Sequence, residues 1–244
     1  MNVGQLKIGN SMEQPILITG AARSGTSMVA GIINMCGAFG GQMFPANKNN
    51  AKGMFENIKL REQLVKPYLS SIGCDPKGQY PLPNPKKLVI PIDWGKRVEK
   101  LIKEDGYVDG PWMYKGAKMC LFYPVWHYAF PNAKWIIVRR KDEDIVNSCL
   151  RTGFMNAFND QGKVKAVKAL NDKDAWYWWV RQHNKRFVEM IEDGLNCKQI
   201  HPERMIKGDY SQIHEMLEWL GLPWNSDIPN FIEPKLWTAR QKLR

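Results

Sequence analysis

Residues 15–41, PILITGAARSGTSMVAGIINMCGAFGG, constrain this chain more than any other stretch. The apolar run Ile16, Leu17, Ile18 and Thr19 leads into Gly20-Ala21-Ala22-Arg23-Ser24-Gly25-Thr26-Ser27. Met28, Val29, Ile32, Ile33 and Met35 then recur at helical spacing. The pattern predicts a strand at 15–20, a tight loop, and a helix at 25–36 stopped by Gly37, Gly40 and Gly41. Such a loop turns successive backbone N–H groups toward one point at a helix N-terminus, where the helix dipole also favours negative charge. It is an anion cradle, and phosphate is its usual guest.

The spacing is that of a Walker A loop, with one departure: Thr26 stands where a nucleotide triphosphatase carries lysine, and the basic residue is Arg23, three positions earlier. The whole chain carries net charge +11, with 35 Lys and Arg against 24 Asp and Glu. That balance favours an anionic ligand, although a basic solvated surface accounts for it as well. The chain has no apolar run of about 18 residues, so no membrane span is expected. The start, MNVGQLKIGNSMEQ, has no apolar core of a secretory signal. The five cysteines, Cys36, Cys74, Cys120, Cys149 and Cys197, are scattered without a C-x-x-C pair. Reduced thiols in a cytoplasmic protein and no zinc site are expected.

Beyond the first helix, residues 42–59 read as a polar loop ending near Phe55-Glu56, and a helix is predicted at 57–70, with Pro67 bearing on where it ends. Prolines 76, 81, 83, 85 and 91 leave room in 73–91 for little but a short edge strand near 88–90. A helix is predicted at 93–105, a strand at 112–115, and a buried helix at 118–129 broken or kinked at Pro124. A buried strand at 134–139 and a helix at 142–151 follow. Residues 153–172 are polar and mixed. A long helix at 174–193, capped by Asp172 or Asp174, shows Trp178, Val180, Phe187, Val188 and Ile191 as its core face, and the cluster Trp176, Trp178 and Trp179 reads as core. A strand at 197–207 interrupted by Pro202, a helix at 211–220 ended by Gly221, and a tail containing Lys235, Arg240, Lys242 and Arg244 complete the chain. Strands alternate with helices. This predicts an α/β fold, three-layer and P-loop-like, with a central parallel sheet flanked by helices.

Two segments together point to a family. Arg23-Ser24-Gly25-Thr26-Ser27 resembles the 5′-phosphosulfate loop of the sulfotransferases, K/R-S-G-T-T/S, between a strand and a helix. The segment from Val138 to Ser148 resembles their 3′-phosphate motif, in which an arginine closes a strand and a serine follows eight residues later. Arg140 and Ser148 have that spacing, and Asp144 matches an acidic position, while Asp142 stands where the family often has proline. Gly53-Met54-Phe55-Glu56-Asn57 is similar to a segment of bacterial-type members. Trp112-Met113-Tyr114-Lys115 with Lys118 is similar to their W-x-x-K-x-P-R strand end, and Leu220-Gly221-Leu222-Pro223-Trp224 to a helix end. The resemblance covers about residues 15–225. It implies one sulfotransferase-like domain over residues 1–244, with irregular substrate-side insertions near 42–56, 73–91 and 153–172.

What the resemblance further implies is transfer of a sulfuryl group from 3′-phosphoadenosine 5′-phosphosulfate to a hydroxyl or amine, without a metal. Ala22, Arg23, Ser24, Gly25, Thr26 and Ser27 would hold the 5′ end of the donor, and Arg140 with Ser148 the 3′-phosphate. Arg23, with Lys115 second, would stabilise charge on the leaving oxygen. The histidine that many cytosolic members carry two residues after the lysine is here Ala117. Carbohydrate-type members use a glutamate from the region after the first helix, and Glu56 occupies a comparable place, so the resemblance makes it the candidate base, with His127 the fallback. A sulfotransferase tail can also approach the 3′-phosphate, which brings in the C-terminal Lys and Arg residues. The acceptor is a small molecule or glycan, sought near 73–91 and 153–172, and the net charge favours an anionic one. Nucleic acid is not expected as a partner, since no groove-reading or base-stacking motif occurs. The competing readings are a P-loop kinase or nucleotide hydrolase with an atypical loop and, last, a basic nucleic-acid module.

Overall fold

The computed structural model describes residues 12–47 and 50–237. Arg240, Lys242 and Arg244 of the tail, and most of the leader, lie outside the described residues. In chain order the elements are β1 (Ile16–Gly20), α1 (Thr26–Met35), a π-helical turn (Leu60–Val65) running into α2 (Lys66–Ser71), α3 (Trp94–Glu104) and β2 (Met113–Lys115). A 3-10 segment (Ala117–Phe122) then runs into α4 (Tyr123–Ala129). After it come β3 (Lys134–Val138), α5 (Asp142–Arg151), α6 (Gln161–Ala166), α7 (Asp172–Glu192), β4 (Cys197–Ile200), α8 (Pro202–Ile206), α9 (Ser211–Leu220) and α10 (Ile228–Phe231).

The four strands form one parallel sheet in the order β2-β1-β3-β4, with helices on both faces. This is the α/β sandwich expected from the alternation of elements. β1 is fully buried because both its edges and both its faces are covered. Ile16 and Ile18 point, with Ile136, Val138 and Ile200, at a layer made by Val29, Ile32 and Ile33 of α1 and by Ile213, Met216 and Leu217 of α9. Leu17, Trp135 and Ile137 face the other layer, built from Leu60 and Leu64, Val98 of α3, Phe122, Trp126 of α4 and Phe187 of α7. Each fully buried Val, Leu or Ile on these faces contributes about 1.5–3 kcal/mol. Their strict alternation fixes the register, since a one-residue slip would turn the other face of β1 to each layer.

Between β2 and β3 the chain crosses from one side of β1 to the other, so the ends of β1, β2 and β3 open toward a common rim. In α/β sheets this switch of direction leaves a crevice outside the carboxyl ends of the strands. Thr19 fastens this rim. Its Oγ1 donates to the carbonyl of Gly116 at 3.2 Å and accepts from the N–H of Cys120 at 3.2 Å, holding the segment after β2 against the end of β1. Gly20 is needed here because a Cβ would lie 2.6 Å from the Val138 carbonyl oxygen.

Several expectations are corrected. The helix predicted at 57–70 runs past Pro67 to Ser71 but is not a plain α-helix. Its first part widens to a π-turn in which the Lys66 N–H bonds back to the Arg61 carbonyl, and Pro67, which has no N–H to place, sits in the first turn of α2. No edge strand forms at 88–90; the nearby regular piece is a 3-10 turn at Pro85–Lys87. The predicted 118–129 helix is broken at Pro124, as one of the two expected outcomes: a 3-10 segment ends at Phe122 and Pro124 lies in the first turn of α4. The strand predicted to 207 stops at Ile200, and Pro202 starts α8, a position where proline's fixed φ suits a helix. Asn171, not Asp172 or Asp174, caps α7, accepting from the Asp174 N–H at 2.9 Å. Val188 and Ile191 lie on the exposed side of α7, and the buried stripe is Trp176, Trp179, Val180, His183, Phe187 and Met190. Part of the tail is ordered as α10 and a 3-10 turn at Pro234–Leu236.

Gln79 joins the two long irregular segments. Its Nε2 donates to the Phe154 carbonyl at 2.7 Å, and its Oε1 accepts from the N–H groups of Asn156 and Ala157 at 3.0 Å each. Replacing it by leucine leaves three backbone groups without their partner, one of them, the Ala157 N–H, buried. Gln79→Leu is therefore expected to lower unfolding stability by about 2 kcal/mol or more. An unchanged urea midpoint would show that the clamp carries no net energy.

Candidate active site

The rim at the ends of β1, β2 and β3 is a cavity of about 690 Å³, a size suited to small molecules. Ala22, Arg23, Gly25, Thr26 and Ser27 of the loop line it, with Glu56, Lys115 and Arg140. The structure thus brings eight of the ten sequence-derived site residues to one place. The other two, Ser24 and Ser148, are buried behind the wall. Lys118 and Arg61, which the reading of Glu56 did not anticipate, also line the cavity. His127 does not; it stands in the last turn of α4, away from the cavity.

The loop follows from its sequence. Arg23 and Gly25 both have left-handed backbone, with φ of 75° and 98°. Glycine takes this conformation freely; for arginine it stores strain of order 1–3 kcal/mol, of the kind that concentrates at functional sites. The bend points the N–H groups of Gly25, Thr26 and Ser27 away from any backbone acceptor among the described residues. These are the unsatisfied donors at the start of α1, and no side chain caps them. The Ser27 hydroxyl is turned aside and donates to the Met54 carbonyl at 3.1 Å, tying α1 to the segment before Glu56. Ser148 accepts from Arg23 Nε at 3.0 Å, so the hydroxyl fixes the guanidinium in the loop.

Arg140 leaves the end of β3 and donates from Nη1 to the Arg23 carbonyl at 2.9 Å. Its Nε and Nη2 are buried without a hydrogen bond among the described residues; the Asp144 carboxylate stands 3.9 Å from Nε. Its guanidinium lies 4.0 Å from the ring centre of Trp237, which also covers Gly25. Burial pushes the Arg140 guanidinium down from its usual pKa, opposed by Asp144 and Glu203.

Glu56 comes from a segment with its own geometry. Phe55 has φ of 51°, the second strained non-glycine residue on the cavity wall. Asn57, buried, accepts from the Leu60 N–H at 2.9 Å and donates to the Gly40 carbonyl and to Asp105, fixing the backbone just after the carboxylate. The carboxylate sits among three cations, with Lys118 Nζ at 3.3 Å, Arg61 Nε at 3.8 Å and Lys115 Nζ at 4.0 Å. Lys115 is the last residue of β2, in register with Ile18. Burial alone would raise the Glu56 pKa, but Lys118, Lys115 and Arg61 together hold it below the usual carboxylate value. Burial also lowers Lys115 to about 8, with Glu56 opposing and Lys118, Arg61 and Arg23 adding to the fall. One carboxylate therefore stays ionised among more positive charge than it can balance.

Among the described residues, no three His, Cys, Asp or Glu side chains gather as a metal site, and no helix is long and apolar enough to cross a membrane. No disulfide links the five cysteines.

No protein-family model matches the sequence, and no curated protein matches it. Solved structures do. A sulfotransferase from Mycobacterium avium superposes with a TM-score of 0.55 at 13% identity, over 96% of this chain and 70% of that one. The sulfotransferase domain from the curacin biosynthetic pathway gives 0.54 at 13% identity, over 91% and 79%. A sulfotransferase from Alicyclobacillus acidocaldarius gives 0.53 at 17% identity, over 93% and 89%. The chain has a sulfotransferase-like fold.

The charge set around Glu56 has a measurable signature. The amine of Lys115 should titrate near pH 8, followed by nitrogen-detected NMR of lysine side chains, and the signal should vanish in Lys115→Arg. Because its folded pKa lies below the unfolded value, the folded state binds fewer protons between the two, so this group makes stability rise as pH climbs from about 8 toward the ordinary lysine value. A Lys115 amine titrating above pH 10 would contradict its dry, crowded setting.

Proposed function

We propose that this chain is a sulfotransferase, moving a sulfuryl group from 3′-phosphoadenosine 5′-phosphosulfate to a hydroxyl or amine of a small molecule or glycan. The observation that carries the reading is a pair of separate anion positions on one cavity. One is the uncapped start of α1, with the N–H groups of Gly25, Thr26 and Ser27 beside Arg23. The other is Arg140, with two buried nitrogens that lack hydrogen-bond partners among the described residues. A nucleotide bearing a 5′ anion and a 3′-phosphate needs just such a pair, and buried unpaired donors are costly unless a ligand completes them. The donor residues therefore fit the group, and the sulfotransferase-like fold agrees with it.

The donor supplies an activated sulfuryl group; the chain supplies placement and charge. The loop N–H groups hold the 5′ end. Arg23, locked by Ser148, and Lys115 keep positive charge where the leaving phosphate oxygen becomes more negative, so they bind the transition state more tightly than the ground state. Glu56 takes the acceptor's proton. Its three cations keep it deprotonated at neutral pH, which readies it as a base but makes it a weak one. Arg140 holds the 3′-phosphate, and Trp237 covers its guanidinium with an aromatic face.

Calorimetry with 3′-phosphoadenosine 5′-phosphate tests the donor reading. Binding should need no Mg²⁺ and should weaken about tenfold or more in Arg23→Ala and in Arg140→Ala. Tight Mg²⁺-dependent ATP binding, without binding of the phosphoadenosine, would establish the kinase or hydrolase reading instead. Glu56→Gln should keep nucleotide binding and lose transfer by about 10²–10⁴-fold, with folding checked by circular dichroism. Undiminished transfer in that variant would move the base elsewhere.

A further inference from the structure

The positive charge on the cavity wall extends past what a nucleotide donor can use. Arg23 belongs to the loop end and is among the charges acting on Lys115. Farther along, Lys118 is acted on by Glu56, Arg61 and Lys66. Lys115, Lys118 and Arg61 surround the Glu56 carboxylate, and Glu62 lies between Arg61 and Lys66. Lys77 lines the same cavity and precedes Gly78, where an added Cβ would lie 2.8 Å from Lys118 Cβ.

The charges there do not cancel. Glu56 serves Lys115, Lys118 and Arg61 at once. Glu62 serves Lys66 at 2.7 Å and lies 3.6 Å from Arg61 Nε. The Lys77 amine has no acidic partner among the described residues. Five cations face two carboxylates, and Lys115 and Lys118 are buried. Buried charge in excess is unfavourable unless a counter-charge arrives with the ligand. Polar groups on the same wall are few, and Phe154 and Met155 flank the cluster from the segment that Gln79 clamps.

We infer that the acceptor carries its own oxyanion, a carboxylate, sulfate or phosphate group, bound by Lys118, Arg61, Lys66 and Lys77 so that its hydroxyl lies beside Glu56. The inference rests on the sulfotransferase reading for the word acceptor, but the second anion site is a property of the wall itself. An anion here also compensates Lys118 and Arg61, leaving the Glu56 carboxylate less tightly held and a better base. A neutral alcohol provides no such relief. Specificity then comes from charge: the uncompensated lysines reject neutral analogues by leaving themselves unpaired.

The test uses the whole chain, first saturated with 3′-phosphoadenosine 5′-phosphate so that the loop is filled. Sodium sulfate, phosphate and glucuronate are then titrated separately at constant ionic strength held with sodium chloride, and binding is read by calorimetry and by thermal midpoint. At least one oxyanion should bind saturably and raise the midpoint beyond the chloride control, and the one that does names the anionic group. Lys66→Gln with Lys77→Gln, both on the rim where folding is not at risk, should weaken that binding about tenfold while leaving nucleotide affinity unchanged. No saturable oxyanion binding, or equal binding in the double variant, overturns the inference. Should the nucleotide itself fail to bind, the titrations are repeated on the protein alone in the Arg23→Ala background, which empties the loop of its cation. Oxyanion binding that survives there and falls in the double variant keeps the second site while the donor reading fails.

Discussion

The carboxylate of Glu56 is the interaction on which the cavity depends. It gathers Lys115 from the end of β2, Lys118 from the 3-10 segment and Arg61 from the π-turn, three parts of the chain far apart in sequence. At about 4 Å and an effective dielectric near 20, one such attraction is on the order of 4 kcal/mol. Desolvation costs several kcal/mol for each ion, so the group nearly breaks even. The carboxylate's main effect is to let three cations share a dry wall without expelling one another. Removing it would turn a crowded wall into a repulsive one.

The backbone around that carboxylate is arranged for the same end. Left-handed φ at Arg23 and at Phe55 puts two strained residues on the cavity wall, and Lys168 is the one other non-glycine residue with positive φ among those described. Strain persists where surroundings over-determine a conformation. Here Ser27 donates to Met54, Asn57 caps the π-turn, Ser148 holds Arg23, and Thr19 clasps Gly116 and Cys120. Each of these four hydroxyl or amide groups ties one wall of the cavity to another. On the proposed reading Ser148 also acts through Arg23, whose guanidinium its hydroxyl fixes.

The loop, the buried strands and most helices were legible because their signals are local. A glycine-bounded loop, an apolar run or a 3.6 period needs only neighbours in sequence. The same locality explains the errors. Pro202 was read as interrupting a strand, yet it starts a helix, where a missing N–H costs nothing, and Pro67 is carried inside a helical run by the π-turn before it. Val188 and Ile191 are apolar and periodic, but α5 packs on the opposite stripe of α7, so they remain exposed. Arg61, Lys118 and Trp237 gained their place only through folding. No spacing rule connects a residue of a π-turn to a carboxylate five positions before it, or position 237 to the guanidinium of Arg140. Gln79 is the sharpest case, a single polar residue in a proline-rich stretch that joins two segments 75 residues apart.

The two ends of the cavity solve the problem of placing negative charge differently. At the loop, the donors are backbone N–H groups, neutral dipoles whose direction is set by α1 and by the bend at Arg23 and Gly25. Such donors keep their geometry whether or not a ligand is present. At the far end the donors are lysine amines on flexible stems, whose charge is large and whose direction is adjustable. A fixed cradle suits a group that must be held in line for transfer; movable charges suit a group that must only be kept nearby. Between them stands Lys115, its amine made less basic by burial and by the cations on either side, so it is the charge most responsive to what arrives. An anion bound at either end favours its protonated form, and that form is the one able to stabilise a leaving oxyanion. On the proposed reading, both ends act on this one amine.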